Sequence, residues 1–508
     1  MSSRLFTNFR WGLTGEAQSM LVEGERVVSR GSGVAPEGVD AVNLDGRYLL
    51  PSLTDCHCHI LPTGLDLAKL HLGAANSREA VLDAVRGRHR SHPDGWLLAV
   101  HYDQNKWGGE HLTRTELDTI SSSRPILLRH VNGHAGVANT AALQAAGVGL
   151  EEADPDDGSY GRDASGKLTG VAFEGAHERV SGAIPNPTFE ESVEAILAAA
   201  RSMASMGLGS ATDMQTNARD LPAYRAAVER GCPIELRLYM VWKDVFGPRA
   251  TDRNEIEALR DGPGPIVAGV KLFADGAIGS ATAAIYGGYA GREPSLGGTS
   301  GQLMYSKERL IERVKTAHDA GFQVATHAIG DYALDLVLDA YEATGGAARH
   351  RIEHAMLLSD EQIERLHRLG CQVAMQPEFL VRFGHAYRAQ LGHARAGHLK
   401  RFRSVLDAGV PVAFSSDRPI CAGSPWTGVE CASSRPDGFD PAENLSRREA
   451  IERYLTPAVR IGGDANRGAL SPGELCDAIV MDSDPLLPGE PAALAKLQVL
   501  SKVGTGAA

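Results

Sequence analysis

The alternation of short apolar runs with helical stretches constrains the fold of this chain more than any other feature. Helical segments such as SKERLIERVKTAHDAG and SDEQIERLHRLG separate the later runs. The eight runs are SLTDCHCHI, LGSATDM, IELRLYMV, GVKLFADG, QVATHAIG, RHRIEHAML, CQVAMQP and PVAFSSD. Strands that alternate with helices are typical of a parallel α/β fold. Eight such units predict a (β/α)8 barrel of the TIM type.

The spacing of these runs predicts the domain organisation. Residues 61–205 separate the first two barrel strands and contain the strand-like WLLAVHYD and PILLRHV and the helical ESVEAILAAARSMASMG. We therefore predict a barrel over residues 53–464, with 61–205 as a large insertion after strand 1 over the mouth, where such folds carry their sites. Residues 1–52 and 465–508 hold further β-prone runs, among them LFTNFRW, CDAIVMDSDPL and QVLSKVG. We expect these two ends to build one small β-sandwich domain.

Composition and charge exclude several classes of partner. Apolar residues make up 43% of 508, enough for a large core. The net charge is -12 and the basic residues are scattered, which argues against nucleic acid as a partner. No apolar run reaches eighteen residues and the first residues lack the pattern of a secretory signal, so we expect no membrane partner. Seven cysteines, few and odd in number, fit a reducing compartment and a cytoplasmic protein.

A His-x-His pair in the first run is the first sign of metal chemistry. His57 and His59 lie two apart, and in a strand this spacing sends both imidazoles to the same side. Two neutral imidazoles chelate a borderline divalent ion such as zinc well. Taken alone, the pair is equally consistent with two histidines of the core or the barrel mouth.

Further ligand types stand at the ends of later strands. His327 ends the run VATHA, His354 ends RIEH, and Asp417 follows AFSS. Each residue alone fits a hydrogen-bonded histidine or a helix-capping aspartate better, but the ordered set of five favours a metal site. Lys271 lies in the apolar run IVAGVKLF. It could pair with Asp275 or Asp417, or it could react with CO2 to form a carbamate that bridges two metals, and the sequence leaves these alternatives open.

The complete pattern resembles the amidohydrolase superfamily, which carries His-x-His on strand one, Lys on strand four, His on strands five and six, and Asp on strand eight. Within it, the chain looks similar to the family that includes N-substituted formamide deformylase. The resemblance runs from about residue 40 to about residue 485. Its motifs are PSLTDCHCH, RPILLRHVNGHAGVANTAAL, GVKLFADGAIGS, THAIGD, RIEHAM and SSDRP.

The resemblance implies a role for each matched residue. The implied metal ligands are His57, His59, Lys271 as a carbamate, His327, His354 and Asp417. Asp417 would also be the general base, with His134 as a second catalytic residue. The ions would be one or two Zn2+, or another divalent metal. Asn132 and Arg418 depart from the usual pattern, which bears on the substrate rather than on the metal.

The insertion supplies the candidates for substrate contacts. These are Tyr102, Trp107 and His130, for which ordinary loop packing is an equally good interpretation, and Glu174, which the resemblance adds.

These residues together predict an enzyme. The implied reaction is hydrolysis of a carbon–nitrogen bond, of amide, N-acyl or N-formyl type, in a small molecule by metal-activated water with Asp417 as the base. The alternatives are ring opening of a cyclic amide, deamination or decarboxylation at the same site, and a regulatory scaffold that binds metal without catalysis. Assembly into a homo-oligomer is left open.

Overall fold

A computed structural model describes residues 3–31, 39–130, 135–155, 158–248, 256, 258–260, 264–290, 300–489 and 495–496. The strands are, in chain order, β1 (Ser3–Trp11), β2 (Ala17–Glu23), β3 (Arg26–Gly31), β4 (Asp40–Asn43), β5 (Tyr48–Pro51), β6 (Leu53–Cys58), β7 (Leu70–His71), β8 (Leu97–Tyr102), β9 (Ile126–His130), β10 (Ala135–Ala138), β11 (Gly158–Arg162), β12 (Leu168–Glu174), β13 (Leu208–Thr216), β14 (Glu235–Val241), β15 (Ile266–Phe273), β16 (Gln323–Ala328), β17 (Arg351–His354), β18 (Gln372–Met375), β19 (Val412–Phe414), β20 (Ala478–Met481) and β21 (Ala495–Lys496).

The α-helices of the described residues follow the same numbering. They are α1 (Ile60–Leu67), α2 (Arg78–Ser91), α3 (Arg114–Asp118), α4 (Thr140–Ala145), α5 (Gly175–Ser181), α6 (Phe189–Ser205), α7 (Leu221–Glu229), α8 (Trp242–Phe246), α9 (Lys307–Asp319), α10 (Asp331–Glu342), α11 (Asp360–Leu369), α12 (Phe379–Gly397), α13 (Phe402–Asp407), α14 (Pro425–Ser433), α15 (Arg447–Glu452) and α16 (Thr456–Ile461). Within this part of the chain, no helix combines the length and the apolar character that a bilayer crossing requires.

Eight parallel strands form the barrel. Their order is β19-β18-β17-β16-β15-β14-β13-β6, so each strand lies beside its neighbour in sequence. The first and last strands meet at their carboxyl ends, where Asp417 N donates to His57 O at 2.7 Å and His59 N donates to Arg418 O at 2.7 Å. Each of the eight predicted runs overlaps one of these strands, and the prediction of a TIM-type barrel is confirmed.

The barrel strands are short and apolar because both of their faces are covered. Every residue of β6 is buried, and so is every residue of β17 and β19. The helices between strands follow their sequence signals closely. Ser359, for example, caps α11 through a capping box with Gln362, and Gly370 ends that helix at φ 66°.

Residues Leu65–Ala195 form a separate compact unit with its own sheet. The strand order is β11-β12-β10-β9-β8-β7. The two strand-like runs recognised in the sequence contain β8 and β9. The partners β10, β11 and β12 had no comparable signal, because β10 is only the four residues AGVA and β11 is the glycine-containing GSYGR.

The two ends of the chain share one sheet. Strands β1 to β5 and β20 and β21 form seven strands, with β20 antiparallel to β5 and Ala478 opposite Pro51. Its core contains Phe6, Phe9 and Met20. A β-sandwich needs a second sheet packed face to face. The described residues assign no such sheet to this region, so the sandwich stays a prediction, and the run QVLSKVG lies outside the described residues.

Candidate metal site

Four histidines converge at the carboxyl end of the barrel. The ring centroids of His57 and His59 are 5.8 Å apart, those of His57 and His354 are 4.9 Å apart, and those of His327 and His354 are 4.5 Å apart. The chain brings them together from β6 and the residue after it, β16 and β17, which are far apart in sequence. This convergence is what a metal site at the barrel mouth requires.

His57, His59 and Asp417 form a candidate metal site among the described residues. One ligand atom from each lies within 4.8 Å of the others. The backbone bonds between β6 and the segment after β19 fix the carboxylate beside the two imidazoles. Asp417 has φ 59° and His354 has φ 75°. Left-handed backbone at such residues costs about 1–3 kcal/mol each and clusters at functional sites.

Asp417 offers an oxygen atom that fits a metal ion. Its Oδ1 lies 3.0 Å from His59 Nε2 and 3.4 Å from His57 Nε2. Despite these distances, this buried atom receives no hydrogen bond of acceptable geometry in the described structure. Burial alone would raise the pKa of Asp417, but the imidazoles of His57, His59 and His354 outweigh it and hold that pKa well below its ordinary value. A carboxylate ion beside two imidazole nitrogens is a suitable donor set for zinc.

A buried carboxylate orients His57. Glu353 Oε2 lies 2.5 Å from His57 Nδ1, which leaves Nε2 facing Asp417. Arg351 donates to both oxygens of Glu353, at 2.5 and 2.9 Å. Burial would raise the pKa of Glu353, but the charge of Arg351 and the hydrogen bond with His57 lower it to about 2. This is the arrangement that fixes the tautomer of a metal-ligating histidine.

A buried amide orients His354 in the same way. Gln376 Oε1 accepts from Lys400 Nζ at 2.8 Å and lies 2.9 Å from His354 Nδ1. Since Oε1 can only accept, His354 Nδ1 carries the hydrogen and Nε2 is left with a lone pair. Lys400 Nζ also donates to the backbone oxygen of His354 at 2.9 Å. Burial and the neighbouring His327 and His57 lower the pKa of His354, so its ring stays neutral.

His327 is oriented through Nε2, whereas His57 and His354 are oriented through Nδ1. The Nε2 atom of His327 lies 2.9 Å from the backbone oxygen of Gly276, which leaves Nδ1 as the lone-pair nitrogen. Burial, and then the charge of Lys271, lower the pKa of His327 to about 3. A neutral imidazole is the form that binds a metal.

Lys271 is buried in β15 and lines the same cavity. Burial lowers the pKa of its amine to about 8, although the carboxylates of Glu353 and Asp417 oppose that shift. Its Nζ lies 4.9 Å from the centre of the Phe273 ring. The described residues offer it no ion pair within 4 Å, either with Asp275 or with Asp417. This lowered pKa leaves a larger fraction of the amine neutral, and the neutral amine is the form that reacts with CO2.

The remaining predicted residues lie in the Leu65–Ala195 unit. Tyr102 is fully buried in its core, where the hydroxyl accepts from Leu112 N at 2.8 Å. His130 is buried, and its ring centroid is 6.2 Å from that of Tyr102. Trp107 packs against the same core, and Glu174 stands at φ 48°. Their roles as substrate contacts stay predictions, and His134 and Asn132 lie outside the described residues.

Two cavities have to be distinguished. One of about 310 Å3 is lined by all six predicted metal ligands. A larger one, of about 680 Å3, lies near the amino ends of β18 and β19 and is lined by Trp11, Arg30 and Arg453 among others. It contains none of the predicted ligands. The chemistry of the lining, not the volume, therefore identifies the first cavity as the candidate site.

The sequence interpretation missed the residues that hold the histidines in place. Glu353 and Arg351 lie within the recognised motif RIEHAM. Opposite charges two residues apart in a buried strand are a pattern that could have indicated their ion pair. Gln376 follows β18 directly in the recognised run CQVAMQP. Lys400 carried no signal, because only the fold brings its amine to Gln376.

Comparison with known proteins agrees with this geometry. The amidohydrolase family matches residues 40–500. The putative amidohydrolase YtcJ of Bacillus subtilis (strain 168) is 30% identical over 490 residues, 93% of this chain and 90% of that protein. N-substituted formamide deformylase of Arthrobacter pascens is 28% identical over 517 residues, 95% and 93% of the two chains. The crystal structure of an uncharacterized metal-dependent hydrolase from Pyrococcus horikoshii has a TM-score of 0.80 at 28% identity, covering 96% of this chain and 98% of that chain. The chain therefore belongs to the amidohydrolase family, as a metal-dependent amidohydrolase that acts on carbon–nitrogen bonds.

Proposed function

We propose that this protein hydrolyses an amide-type carbon–nitrogen bond, N-acyl or N-formyl, in a small molecule. The observation that carries the proposal is the grouping of His57, His59 and Asp417 with an unpartnered carboxylate oxygen between two imidazole nitrogens. The similarity to a relative named N-substituted formamide deformylase supports the same bond type.

The metal ligands would be His57, His59, His327, His354 and Asp417, with Lys271 as a carbamate if two ions bind. Zinc suits this set of nitrogen and oxygen donors. A divalent ion held there would polarise the carbonyl oxygen and lower the pKa of attacking water.

The protein's own groups would then manage the proton and the ligand geometry. Asp417 takes the proton from the attacking water and returns it to the departing nitrogen, which needs a carboxylate that is ionised at neutral pH. Glu353 and Gln376 keep the lone pairs of His57 and His354 directed into the cavity. The roles of His134, Tyr102, Trp107, His130 and Glu174, and the placement of residues 61–205 over the mouth, belong to the same proposal.

The direct test has two parts. Protein purified without chelator is analysed for bound metal, and a panel of N-formyl, N-acyl and cyclic amides is screened for release of amine. Amine release that disappears with chelator and returns with zinc supports the proposal. Bound metal with ring opening, deamination or decarboxylation instead, or metal without any turnover, would favour the alternative reactions or a regulatory scaffold.

A further inference from the structure

The larger of the two cavities, here called the basal cavity, lies at the amino end of the barrel. Trp11 and Arg30 line it from the terminal sheet, and Gln372 of β18 and Val412 of β19 line it from the barrel. Its volume of about 680 Å3 falls within the roughly 300–1,000 Å3 typical of ligand pockets. Among the described residues, it shares none with the lining of the cavity at the histidines. The basal cavity is therefore separate from the candidate metal site.

Most of the basal cavity's lining is apolar. These side chains come from the terminal sheet, from the amino end of β19 and from helix α16 with the residues before it. They include Trp11, Leu13, Pro51, Pro411, Leu455 and Ile461. Contact with such a surface removes apolar area from water and so favours a ligand with an apolar body. A hydrated inorganic ion would gain little from it.

The charged side chains of the lining are mainly basic. They are Arg30, Arg453 and Arg460, with Glu452 as the single carboxylate. Glu452 Oε1 already pairs with Arg448 Nε at 3.1 Å, and its Oε2 lies 3.8 Å from Arg453 Nη2. Three guanidinium groups, which stay protonated at neutral pH, thus face one acid that is shared with a further arginine. The lining carries a net positive charge that favours an anionic group.

Arg30 has an unused hydrogen-bond donor. Its guanidinium carbon lies 3.6 Å from the centre of the Trp11 ring, so the planar group stacks on the indole. Its Nη1 is buried and donates no hydrogen bond to any described residue. Burial lowers the pKa of Arg30, and the charge of Glu474 opposes that shift only in part. A buried N–H without an acceptor is unfavourable, and an oxygen atom of a bound anion would supply the acceptor.

The other two arginines are placed to assist. Arg453 is held by its Nε, which donates to Glu449 O at 3.3 Å, and its side chain is only 17% exposed. Burial lowers its pKa too, as expected for a cation whose charge is incompletely compensated. Arg460 is exposed in the last turn of α16. Gln372 Oε1 is a second buried atom of the lining without a hydrogen bond in the described structure.

We propose that the basal cavity binds a small organic carboxylate whose body is apolar. The carboxylate pairs with Arg30 and Arg453, because a planar guanidinium matches a carboxylate through two parallel hydrogen bonds. The apolar body lies against the Trp11, Leu455 and Ile461 side chains. Such a site is independent of the reaction at the histidines, and its ligand is not the substrate.

Calorimetry on the metal-loaded protein tests the class of ligand. The probes are benzoate, phenylbutyrate and octanoate, the corresponding alcohol of each, and inorganic phosphate. The alcohols lack the charge and phosphate lacks the apolar body. We expect at least one carboxylate to bind with a Kd at least about tenfold below those of its alcohol and of phosphate, because hydrogen bonds between charged groups are the stronger ones. Equal binding of the alcohols, tighter binding of phosphate, or no binding of any carboxylate at millimolar concentration overturns the proposal.

Variants locate the bound carboxylate. Arg30→Gln and Arg453→Gln should each raise Kd about tenfold or more. Arg460→Gln should raise it about two- to fivefold, since exposed ion pairs are weaker, and this exposed position keeps its fold even if the other two variants do not. Arg309→Gln is the matched control, because it removes the same charge at a side chain that is 51% exposed and outside the lining. An unchanged Kd in the folded variants contradicts the proposal.

A competition experiment separates the basal cavity from the metal site, since a carboxylate can also bind zinc. The titration is repeated in the presence of acetohydroxamate, which occupies zinc ions. Binding in the basal cavity should keep its Kd and its sensitivity to Arg30→Gln. Binding that disappears with acetohydroxamate and ignores Arg30→Gln places the ligand at the histidines, and the proposal is then wrong while the proposed function is untouched.

Discussion

The barrel mouth and the terminal sheet bury opposite kinds of side chain. At the mouth, Glu353, Arg351 and Lys400 are fully buried and Lys271 is nearly so. In the described part of β1 to β5, every buried side chain is apolar. Buried charges are weak contributors to stability even when paired, whereas apolar burial is the main favourable term in folding. The mouth is therefore organised for chemistry and the terminal sheet for stability.

The largest expected effect is the loss of activity when the base at the mouth is removed. Asp417→Asn keeps the size of the side chain but cannot take a proton, so turnover of an amide substrate should fall about 100- to 10,000-fold. Thermal unfolding of the metal-loaded variant checks that the fold is kept. The control Asp407→Asn alters a carboxylate that is 62% exposed and should leave both values unchanged. Turnover within a few fold of wild type, with metal still bound, would remove Asp417 from the mechanism.

The converse prediction concerns the terminal sheet. Phe9 is fully buried in its core, and Phe9→Ala should lower the free energy of unfolding by about 3–5 kcal/mol through the cavity it leaves. Denaturant unfolding measures this change. Val28→Ala in β3, where the side chain is 42% exposed, is the control. Below the unfolding transition, kcat of the Phe9 variant should equal that of the wild type, and a large loss of kcat would break the proposed division between the two regions.

A smaller effect is expected from the carboxylate that orients His57. Glu353→Gln removes the charge that His57 and Arg351 contact, and metal affinity should fall about 10- to 100-fold, as for other outer-shell partners. Competition with a chelator of known affinity measures the change. Glu312→Gln, at a side chain that is 60% exposed, is the control. Unchanged affinity in the folded variant would mean that Glu353 serves packing alone.

The smallest effect is a pH dependence of stability. The pKa of Glu353 is lowered from 4.5 to about 2 in the folded protein. A carboxyl whose pKa is lower in the folded state contributes stability that is complete above pH 4.5 and is lost as the pH falls towards 2. In denaturant unfolding of the metal-free protein between pH 6 and pH 3, the free energy of unfolding should therefore fall more steeply for the wild type than for Glu353→Gln. Parallel curves would show that this carboxyl does not couple folding to pH.

The success of the sequence interpretation depended on how local each signal is. The eight barrel strands were recognisable because a strand that is buried on both faces is a short apolar run. The helices were recognisable because capping residues such as Ser359 and Gly370 mark their ends. The metal residues were recognisable because ligand types at strand ends are rare. The short strand β10 and the glycine-containing strand β11 had no such pattern.

The sequence by itself determined the order of the barrel strands, the barrel and the identity of the residues with metal-binding chemistry. Only the tertiary structure decided that Lys400 and Gln376 support His354 and that Phe379, Phe383 and Tyr387 of α12 line the cavity at the histidines. The physical reason is that composition and periodicity act over a few residues. Hydrogen bonds and cavities join groups that are far apart in the chain, and their partners exist only once the barrel has closed.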